Sequence, residues 1–542
     1  MKIKLKALPP RLYNAIFHTH TVSGIVIGFA LFVCFYAGAT ALFLDEVYRW
    51  ENPMARFETP AEVDFDRALQ AIKESQENFA INESFSLIPP DEMNPFILFF
   101  GAVHTEEAGK TERFRTYIHP ITYEVTPYEE PTTHMGRTLY ELHFFHQIPV
   151  IGIYLAGLVA FFFLFAIITG VMIHWKNLLN KFNAFTVKGK WKQIWTNGHT
   201  VLGVITLPFQ AIYAITGALL GLSILLLAPS AFLLFDGDTN EIVKTVRPDL
   251  SYTYEETSPD LTTPHRFNQV YEDILTAYPE HQVRVMFSSH YGKEDGTISV
   301  RIDDFKGIAA DATMVYASKD GALLSEEIPN NKSYAVGVYP ILIKLHYATY
   351  GGIFLKIIYF ILAMLTCFII SSGVMIWQTV RDNPRYTDQQ RRFHFQVTRW
   401  YLGITNGLFP AVALIFLANK AVPIDWVDRT LYVNGIFFIG WLLLAISSLL
   451  WKNLNQLIRN YLTLGGIMGL LIPIANGIFT GDWIWQTFMA GQWYVFSVDL
   501  TWLITGSTAL MLSLQVLPNR ASLAKASVTN RTPTLQLQSQ RS

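Results

Sequence analysis

The chain has 542 residues, a formal net charge of −2 and a positive mean hydropathy of +0.27. Charged residues make up 15% of it, where about 25% is usual for soluble proteins, so polar side chains are too few to cover a soluble surface. The balance of 41 basic and 43 acidic residues argues against a nucleic-acid partner. Cys34 and Cys367 both lie in apolar runs, which argues against a disulfide framework or a cysteine-ligated cluster. The composition predicts a multi-pass membrane protein.

Eight apolar segments are long enough to cross the ~30 Å hydrocarbon core of a bilayer as helices. The first segment is too long for a signal peptide and lacks a small-residue cleavage pattern, so we expect it to stay as an anchor. In chain order the segments are 16–45, 148–174, 199–228, 346–377, 400–418, 431–451, 461–480 and 497–516.

Lysine and arginine collect at the N-terminus, after the second, fourth and sixth spans, and in the tail. With eight spans all five segments lie on one side, which the positive-inside rule assigns to the cytoplasm. Both termini are therefore predicted to be cytoplasmic. The basic residues concerned are Lys2, Lys4, Lys6, Arg11, Lys176, Lys181, Lys188, Lys190, Lys192, Arg381, Arg385, Arg391, Arg392, Arg399, Lys452, Arg459, Arg520, Lys525, Arg531 and Arg541.

Two long polar inserts then lie outside the cytoplasm, and each is predicted to be an α+β domain. Helical patterns at 65–72 and 267–275 precede alternating, strand-like patterns at 114–118, 298–302 and 313–316. The tail is rich in Ser, Thr and Gln and is predicted to be disordered. The predicted divisions are 1–46 (first span), 47–140 (first insert), 141–228 (spans two and three), 229–340 (second insert), 341–380 (span four), 381–518 (a loop and spans five to eight) and 519–542 (tail).

The segments around four histidines repeat along the chain. His-Thr-Val-Ser-Gly at 20–24 is matched by His-Thr-Val-Leu-Gly at 199–203. Leu-His at 142–143 is matched at 345–346, and in both copies Gly-Val-Met-Ile follows, its glycine 27 residues after the histidine. The first ~377 residues are therefore predicted to be a tandem duplication of a helix–insert–helix unit, and such repeats commonly share a site at their interface.

The repeated histidines lie at predicted helix ends. His20 and His199 fall at the cytoplasmic end of spans one and three, and His143 and His346 at the external end of spans two and four. Imidazoles facing each other at one depth are typical of bis-histidine ligation of a b-type haem, whereas zinc takes a third or fourth ligand. The sequence predicts two haem b groups, one near each membrane face.

Gly24 and Gly203 lie four residues after His20 and His199 and share their helix face. A missing side chain one turn from a ligand leaves room for a flat porphyrin, so both glycines are predicted to contribute to haem binding. Close helix–helix packing is the alternative explanation for such small residues.

Three further residues are candidates for contacts with haem. His174 has no counterpart in the repeat, because Trp377 stands at the matching place, and it is predicted either to replace a cytoplasmic-side ligand or to bond a haem propionate. Arg137 and Lys344 lie near the external histidines and are candidates to hold propionates there.

These motifs resemble the PepSY-associated transmembrane family, which includes iron-regulated inner-membrane proteins and ferric-siderophore reductases. The segment 116–125 is similar to the PepSY signature, with His119 in place of the usual Asp and Tyr123 in place of the usual Gly, and 315–323 is a looser copy. The resemblance implies an all-α membrane bundle of about eight helices with two extracytoplasmic PepSY-like α+β domains, set in the bacterial inner membrane.

The resemblance also implies a haem-containing reductase whose paired histidines are the ligands. The predicted function is electron transfer from the cytoplasmic side to a ferric siderophore in the periplasm, as a step of iron uptake. Oxygen donors hold Fe(III) far better than Fe(II), so one electron loosens the metal. Because no nucleotide- or flavin-binding motif is found, the electron donor is predicted to be a separate cytoplasmic carrier or a quinol.

Two other functions are consistent with the sequence. The protein would be a non-catalytic membrane anchor if its PepSY-like inserts bind or restrain extracytoplasmic peptidases. The repeats and the eight spans would also suit a transporter, although no broken helix pair is evident and only Pro208 is expected to bend the third span.

Overall fold

A computed structural model shows a helical bundle with a β-sheet domain at one end. The predicted disordered tail at 519–542 and much of the basic loop after the second span lie outside the described residues. The structure describes residues 8–57, 60, 62–91, 94–107, 109–127, 135–177, 191–238, 241, 247–304 and 306–515.

The described helices and strands follow the order that the sequence predicts, helices first and last with two polar inserts between them. The helices are α1 (Pro10–Ala41), α2 (Leu44–Glu51), α3 (Phe65–Ser75), α4 (Met135–His143), α5 (Gly152–His174), α6 (Trp191–Ile205), α7 (Leu207–Gly221), α8 (Ser223–Leu234), α9 (Phe267–Ala277), α10 (Tyr334–Tyr347), α11 (Gly352–Arg381), α12 (Asp388–Ala421), α13 (Arg429–Ser447), α14 (Leu454–Thr480), α15 (Ile484–Met489) and α16 (Trp493–Gln515). The strands are β1 (Phe85–Ile88), β2 (Ile97–His104), β3 (Thr111–Ile118), β4 (Val125–Pro127), β5 (Gln282–Ser289), β6 (Thr297–Asp303), β7 (Ala312–Ala317) and β8 (Leu323–Glu326).

The described residues contain seven helices that are long and apolar enough to cross a membrane. They also contain a bent pair of helices, and the number of spans is eight if that pair counts as one span. That pair replaces the continuous third span predicted at 199–228. Helix α6 ends at Ile205, α7 begins at Leu207, and the two meet at 70°. Pro208 lies in the first turn of α7, where its missing N–H leaves no hydrogen bond unmade. The expectation that no helix pair is broken is therefore wrong.

The two inserts join in one antiparallel sheet. Its strand order is β4-β3-β2-β1-β5-β6-β7-β8, so the first strand of each insert pairs with the other at the centre. Phe85 lies opposite Ser288, and Ser86 lies opposite Phe287. Helices α3 and α9 share one apolar core with the sheet. Where the sequence predicts two domains, the structure has one shared core, because each four-stranded insert covers the central edge of the other.

The turn after β3 shows how the two departures from the PepSY signature are accommodated. His119 Nδ1 accepts hydrogen bonds from the backbone N–H groups of Ile121 and Thr122, both at 3.3 Å, as an aspartate carboxylate would. Tyr123 has φ = 64°, the left-handed conformation that favours glycine. Its hydroxyl accepts a hydrogen bond from the Asp64 N–H at 3.0 Å, which ties the turn to the start of α3.

The N-termini of α3 and α9 cap each other across the centre of this domain. Asp66 accepts a hydrogen bond from the Phe267 N–H at 2.9 Å, and Asn268 accepts one from the Phe65 N–H at 2.7 Å. The Asn268 amide also donates to Asp64 at 2.7 Å. Each insert thus satisfies backbone donors at the first turn of the other insert's helix.

We expect Asp66→Ala to destabilise the sheet domain by about 1 kcal/mol, because it leaves helix-terminal N–H groups of α9 without their acceptor. The measurement is hydrogen–deuterium exchange of the intact protein, with faster exchange expected at the start of α9. Asp273→Ala, an exposed position on the same helix, is the control. Equal exchange rates at the α9 N-terminus in both variants would contradict the capping role.

The last four long helices form a second bundle built around α12. Helix α12 packs against α13, α14 and α11, and α14 packs against α16. Helix α16 also packs against α2, the short helix that follows α1. The C-terminal bundle is therefore attached both to the first four-span region and to the segment that leads into the sheet domain.

Candidate functional site

The predicted outer pair, His143 and His346, lies at the sheet side of the bundle. The centroids of the two imidazole rings are 5.8 Å apart, with 45° between their planes. His143 is the last residue of α4, and His346 lies at the end of α10. Both histidines were predicted to begin membrane spans. Instead they end short helices that precede α5 and α11, because the chain turns between 144 and 151 and between 348 and 351.

The predicted inner pair, His20 and His199, lies further along the bundle from the sheet. The centroids of these rings are 6.3 Å apart, and their planes are nearly perpendicular at 78°. His20 projects from α1 and His199 from α6. The structure thus brings together both histidine pairs that the repeat predicts.

Hydrogen bonds at Nδ1 fix the tautomer of three of these rings. Each Nδ1 lies against a backbone carbonyl oxygen, which only accepts hydrogen bonds, so Nδ1 carries a proton and, in the neutral ring, Nε2 carries the free lone pair. This is the arrangement that orients a metal-ligating histidine. The contacts are His20 to Ala166 O at 3.0 Å, His199 to Ile369 O at 2.9 Å and His143 to Cys34 O at 2.6 Å.

The fourth ring reaches the same state through a hydroxyl group. His346 Nδ1 lies 2.8 Å from Thr216 Oγ1. The Thr216 hydroxyl donates to the Ile212 carbonyl oxygen at 2.7 Å, so its oxygen accepts from His346. In the neutral state all four imidazoles therefore carry the lone pair on Nε2.

Each ring also lies against a glycine of a neighbouring helix. A Cβ atom at Gly38 would lie 2.6 Å from His143 Nδ1, so only glycine lets that ring approach α1. Three further glycines meet the other rings, at 3.2–3.7 Å from Cβ to Cε1. They are Gly170 beside His20, Gly373 beside His199 and Gly217 beside His346.

The role of Gly38 and Gly217 was not predicted, although the sequence carries a signal for it. The interval from His20 to Gly38 is 18 residues, and the interval from His199 to Gly217 is the same. Spacing alone indicates a repeated position, but only the packing of α4 and α10 shows that a ring lies against it.

Gly24 and Gly203 differ from those four glycines. A Cβ atom at either position would meet no atom within 4 Å. Among the described residues, close helix–helix packing therefore does not explain why these two positions are glycine. Open space lies one helical turn from each inner histidine.

The two pairs lie about 27 Å apart along α1, the rise of the 18 residues from His20 to Gly38. This distance is close to the ~30 Å thickness of a hydrocarbon core.

Aromatic rings fill the region next to the outer pair, on the side that faces the inner one. Phe35 contacts Phe163 and Tyr213 at centroid distances of 5.5 and 5.9 Å. The Tyr213 ring lies 4.9 Å from that of His346, and its hydroxyl donates to the His346 carbonyl oxygen at 2.9 Å.

Two of the three further candidates have other partners. Lys344 is buried and donates to Asp303 at 2.8 Å, which fastens α10 to the end of β6. Arg137 pairs with Glu141 at 2.7 Å on the surface of α4. His174 ends α5 and lies within electrostatic range of His199, so it stays a candidate on the inner side.

The distances between the paired rings leave room for an ion between them. Metal–imidazole bonds of ~2 Å on both sides place the ring centroids roughly 6.4 Å apart, close to the observed 5.8 and 6.3 Å. Among the described residues no group of three or more His, Cys, Asp or Glu side chains is placed to hold a metal. Two imidazoles without further protein ligands are a donor set that would suit the iron of a b-type haem.

The fold and the site define a multi-pass membrane protein whose helical bundle carries two histidine pairs at two depths. The family model described as the PepSY-associated TM region matches residues 17–379. The chain belongs to this family, as the resemblance in its sequence predicts. The match includes all four paired histidines and ends before α12. No protein with a curated description matches the chain.

Proposed function

We propose that this protein is a haem b-dependent transmembrane reductase of ferric chelates. His20 and His199 would hold one haem, and His143 and His346 the other. Electrons would enter on the side opposite the sheet, from a separate cytoplasmic carrier or a quinol. They would leave at the outer pair to a ferric siderophore in the periplasm of a bacterial inner membrane, with both termini in the cytoplasm.

The observation that carries this proposal is the common state of the four imidazoles. Each ring has its Nδ1 proton directed to a protein oxygen and its Nε2 lone pair left for a ligand. Two such neutral rings, 5.8 or 6.3 Å apart between centroids, make a donor pair without net charge. The matched contacts at both sites also support a duplicated unit.

A bound haem would supply reversible one-electron transfer between Fe(III) and Fe(II). The protein's own part is to hold the two sites at fixed depths and to bring the acceptor near the outer one. Each electron delivered converts one chelated Fe(III) to Fe(II), which oxygen donors hold weakly, and no proton is required. One quinol would supply two electrons and release two protons.

The decisive experiment is the absorption spectrum of the full chain, purified in detergent from cells supplied with iron. We expect two haem b groups per polypeptide, reducible by dithionite and reoxidised when a ferric hydroxamate is added. A colourless protein would overturn the proposal. Haem that stays reduced after the chelate is added would overturn the acceptor assignment.

The open space beside Gly24 provides an independent test. We expect Gly24→Leu to remove the inner haem and leave one haem per chain, because the new side chain enters the space beside His20. Gly435→Leu, at a glycine on α13 that also has no atom near its Cβ, is the control. The thermal stability of haem-free protein should be equal in both variants. Unchanged haem content in Gly24→Leu would assign that space to lipid.

A transporter is the second candidate, and the 70° break between α6 and α7 favours it. Discontinuous spans often mark substrate sites in transporters. This alternative predicts purified protein without haem, so the same spectrum separates the two functions. A non-catalytic PepSY anchor that restrains peptidases makes the same prediction of colourless protein.

A further inference from the structure

A basic cleft lies at the end of the bundle opposite the sheet. Helix α11 follows α10, which Lys344 fastens to the end of β6, and its 30 residues run the length of the bundle to Arg381. Helix α12 begins there and returns. Between them is an open cleft of about 300 Å³. Its cationic lining comes from three arginines of α12, Arg391, Arg392 and Arg399.

The cleft carries more positive charge than its acidic neighbours balance. Asp382 is the carboxylate in its lining, 3.9 Å from Arg391, which also pairs with Asp388. Arg399 donates to the Leu449 carbonyl oxygen at 3.3 Å. These contacts hold the guanidinium groups in place without neutralising all of them.

Two donors in this cleft lack acceptors. The Nε atoms of Arg391 and Arg399 are buried, and neither has a hydrogen-bond partner within the described part of the chain. A buried N–H without an acceptor is costly, and charged donors cost most. The three guanidinium groups that line the cleft bind a ligand with several anionic oxygens, and their planar shape suits phosphate particularly well.

The surroundings of the cleft indicate how that phosphate arrives. Phe393 and Trp400, on the same helix, are exposed, as aromatic residues at a membrane–water interface commonly are. Basic pockets between membrane helices on the cytoplasmic side are suited to anionic lipid headgroups. We propose that the cleft formed by Arg391, Arg392 and Arg399 binds the phosphate of an anionic phospholipid. The bound lipid would join the family region to the C-terminal bundle.

This site does not depend on haem, so it is tested separately. The full chain is reconstituted in phosphatidylcholine vesicles with or without phosphatidylglycerol, re-extracted in mild detergent, and its bound lipid is measured by native mass spectrometry. We expect the double variant Arg392→Gln with Arg399→Gln to lower phosphatidylglycerol retention about 30-fold. This is the combined contribution that two arginines near an anionic lipid usually make to its binding. Arg385→Gln with Arg459→Gln removes the same charge outside the cleft lining and should retain the lipid as the unchanged protein does.

Thermal unfolding in phosphatidylcholine alone should be the same for both double variants, which checks that the chain folds. Equal phosphatidylglycerol retention in the two would overturn the proposal. Inorganic phosphate is added to the lipid-stripped protein as a second probe. If phosphate stabilises the protein as much as phosphatidylglycerol does, the site takes free phosphate and its assignment to lipid is wrong.

Discussion

His143→Ala is expected to reduce the haem content from two groups per chain to one and to abolish reduction of ferric chelates. The imidazole of His143 is one of two rings 5.8 Å apart, and no other described His, Cys, Asp or Glu joins them in a metal-binding group. Removing it would leave a haem at this site with one of its two histidine ligands, while the inner pair lies about 27 Å away and is unaffected. Haem per polypeptide and the height of the Soret band measure the loss.

Three further variants make this result specific. His346→Ala should have the same effect, and the double variant should lose no more haem than either single one, because both residues serve one site. His143→Met should keep the haem at a shifted potential, since methionine is also a haem ligand. His146→Ala, at an exposed position three residues further on, is the control. Two haem groups in both His143→Ala and His346→Ala would refute the assignment of the outer site.

Asp499→Ala is expected to lower the free energy of unfolding by about 3–5 kcal/mol, the usual cost of removing one member of a buried charge network. Asp499 is fully buried in α16 and accepts hydrogen bonds from Trp50 Nε1 at 2.8 Å and Asn476 Nδ2 at 3.0 Å. Lys420, also buried, donates to the Trp50 carbonyl oxygen at 2.7 Å and lies 3.9 Å from the centre of the Trp50 ring. Without the carboxylate, two donors lose their acceptor and a nearby cation loses its counter-charge.

Thermal unfolding of the purified protein measures this loss. Asp499→Asn should cost less, because an amide oxygen still accepts one of the two hydrogen bonds. Asp425→Ala, in an exposed loop of the same bundle, should have little effect. A melting temperature for Asp499→Ala equal to that of Asp425→Ala would show that the network does not stabilise the fold.

This network also connects the C-terminal bundle to the outer site. Trp50 is followed by Glu51, whose carboxylate accepts hydrogen bonds from the Met135 N–H at 2.7 Å and the Gly136 N–H at 3.3 Å. These are the first N–H groups of α4, the helix that ends at His143. The last four helices, for which no role was predicted, thus support the segment that positions one of the paired histidines.

The histidine pairs were predictable because their signal is local. Residue type, order and spacing repeat around His20 and His199 and around His143 and His346, and each segment needs only to be compared with its copy. The family was predictable for the same reason, and the match over 17–379 confirms it. Apolar length likewise predicts most of the spans, because a helix must be about 20 residues long to cross the hydrocarbon core.

The partners of these residues were not predictable. His20 Nδ1 donates to the carbonyl oxygen of Ala166, and His143 Nδ1 donates to that of Cys34. Both acceptors lie more than a hundred residues away along the chain. Nothing in the type of either residue marks it, since every residue has a carbonyl group. Such contacts arise only when two helices take a particular rotation and depth against each other.

Composition and repetition along the chain establish a membrane protein with paired imidazoles at two depths, because hydropathy and residue spacing are properties of neighbouring positions. Tertiary structure alone decides that the two inserts form one sheet, that the third span breaks before Pro208, and that His143 and His346 end short helices instead of beginning long ones. The physical reason is that strand pairing at an edge, a bend between helices and a contact between rings each depend on interactions between segments that lie far apart along the chain. The sequence of one segment alone does not predict them.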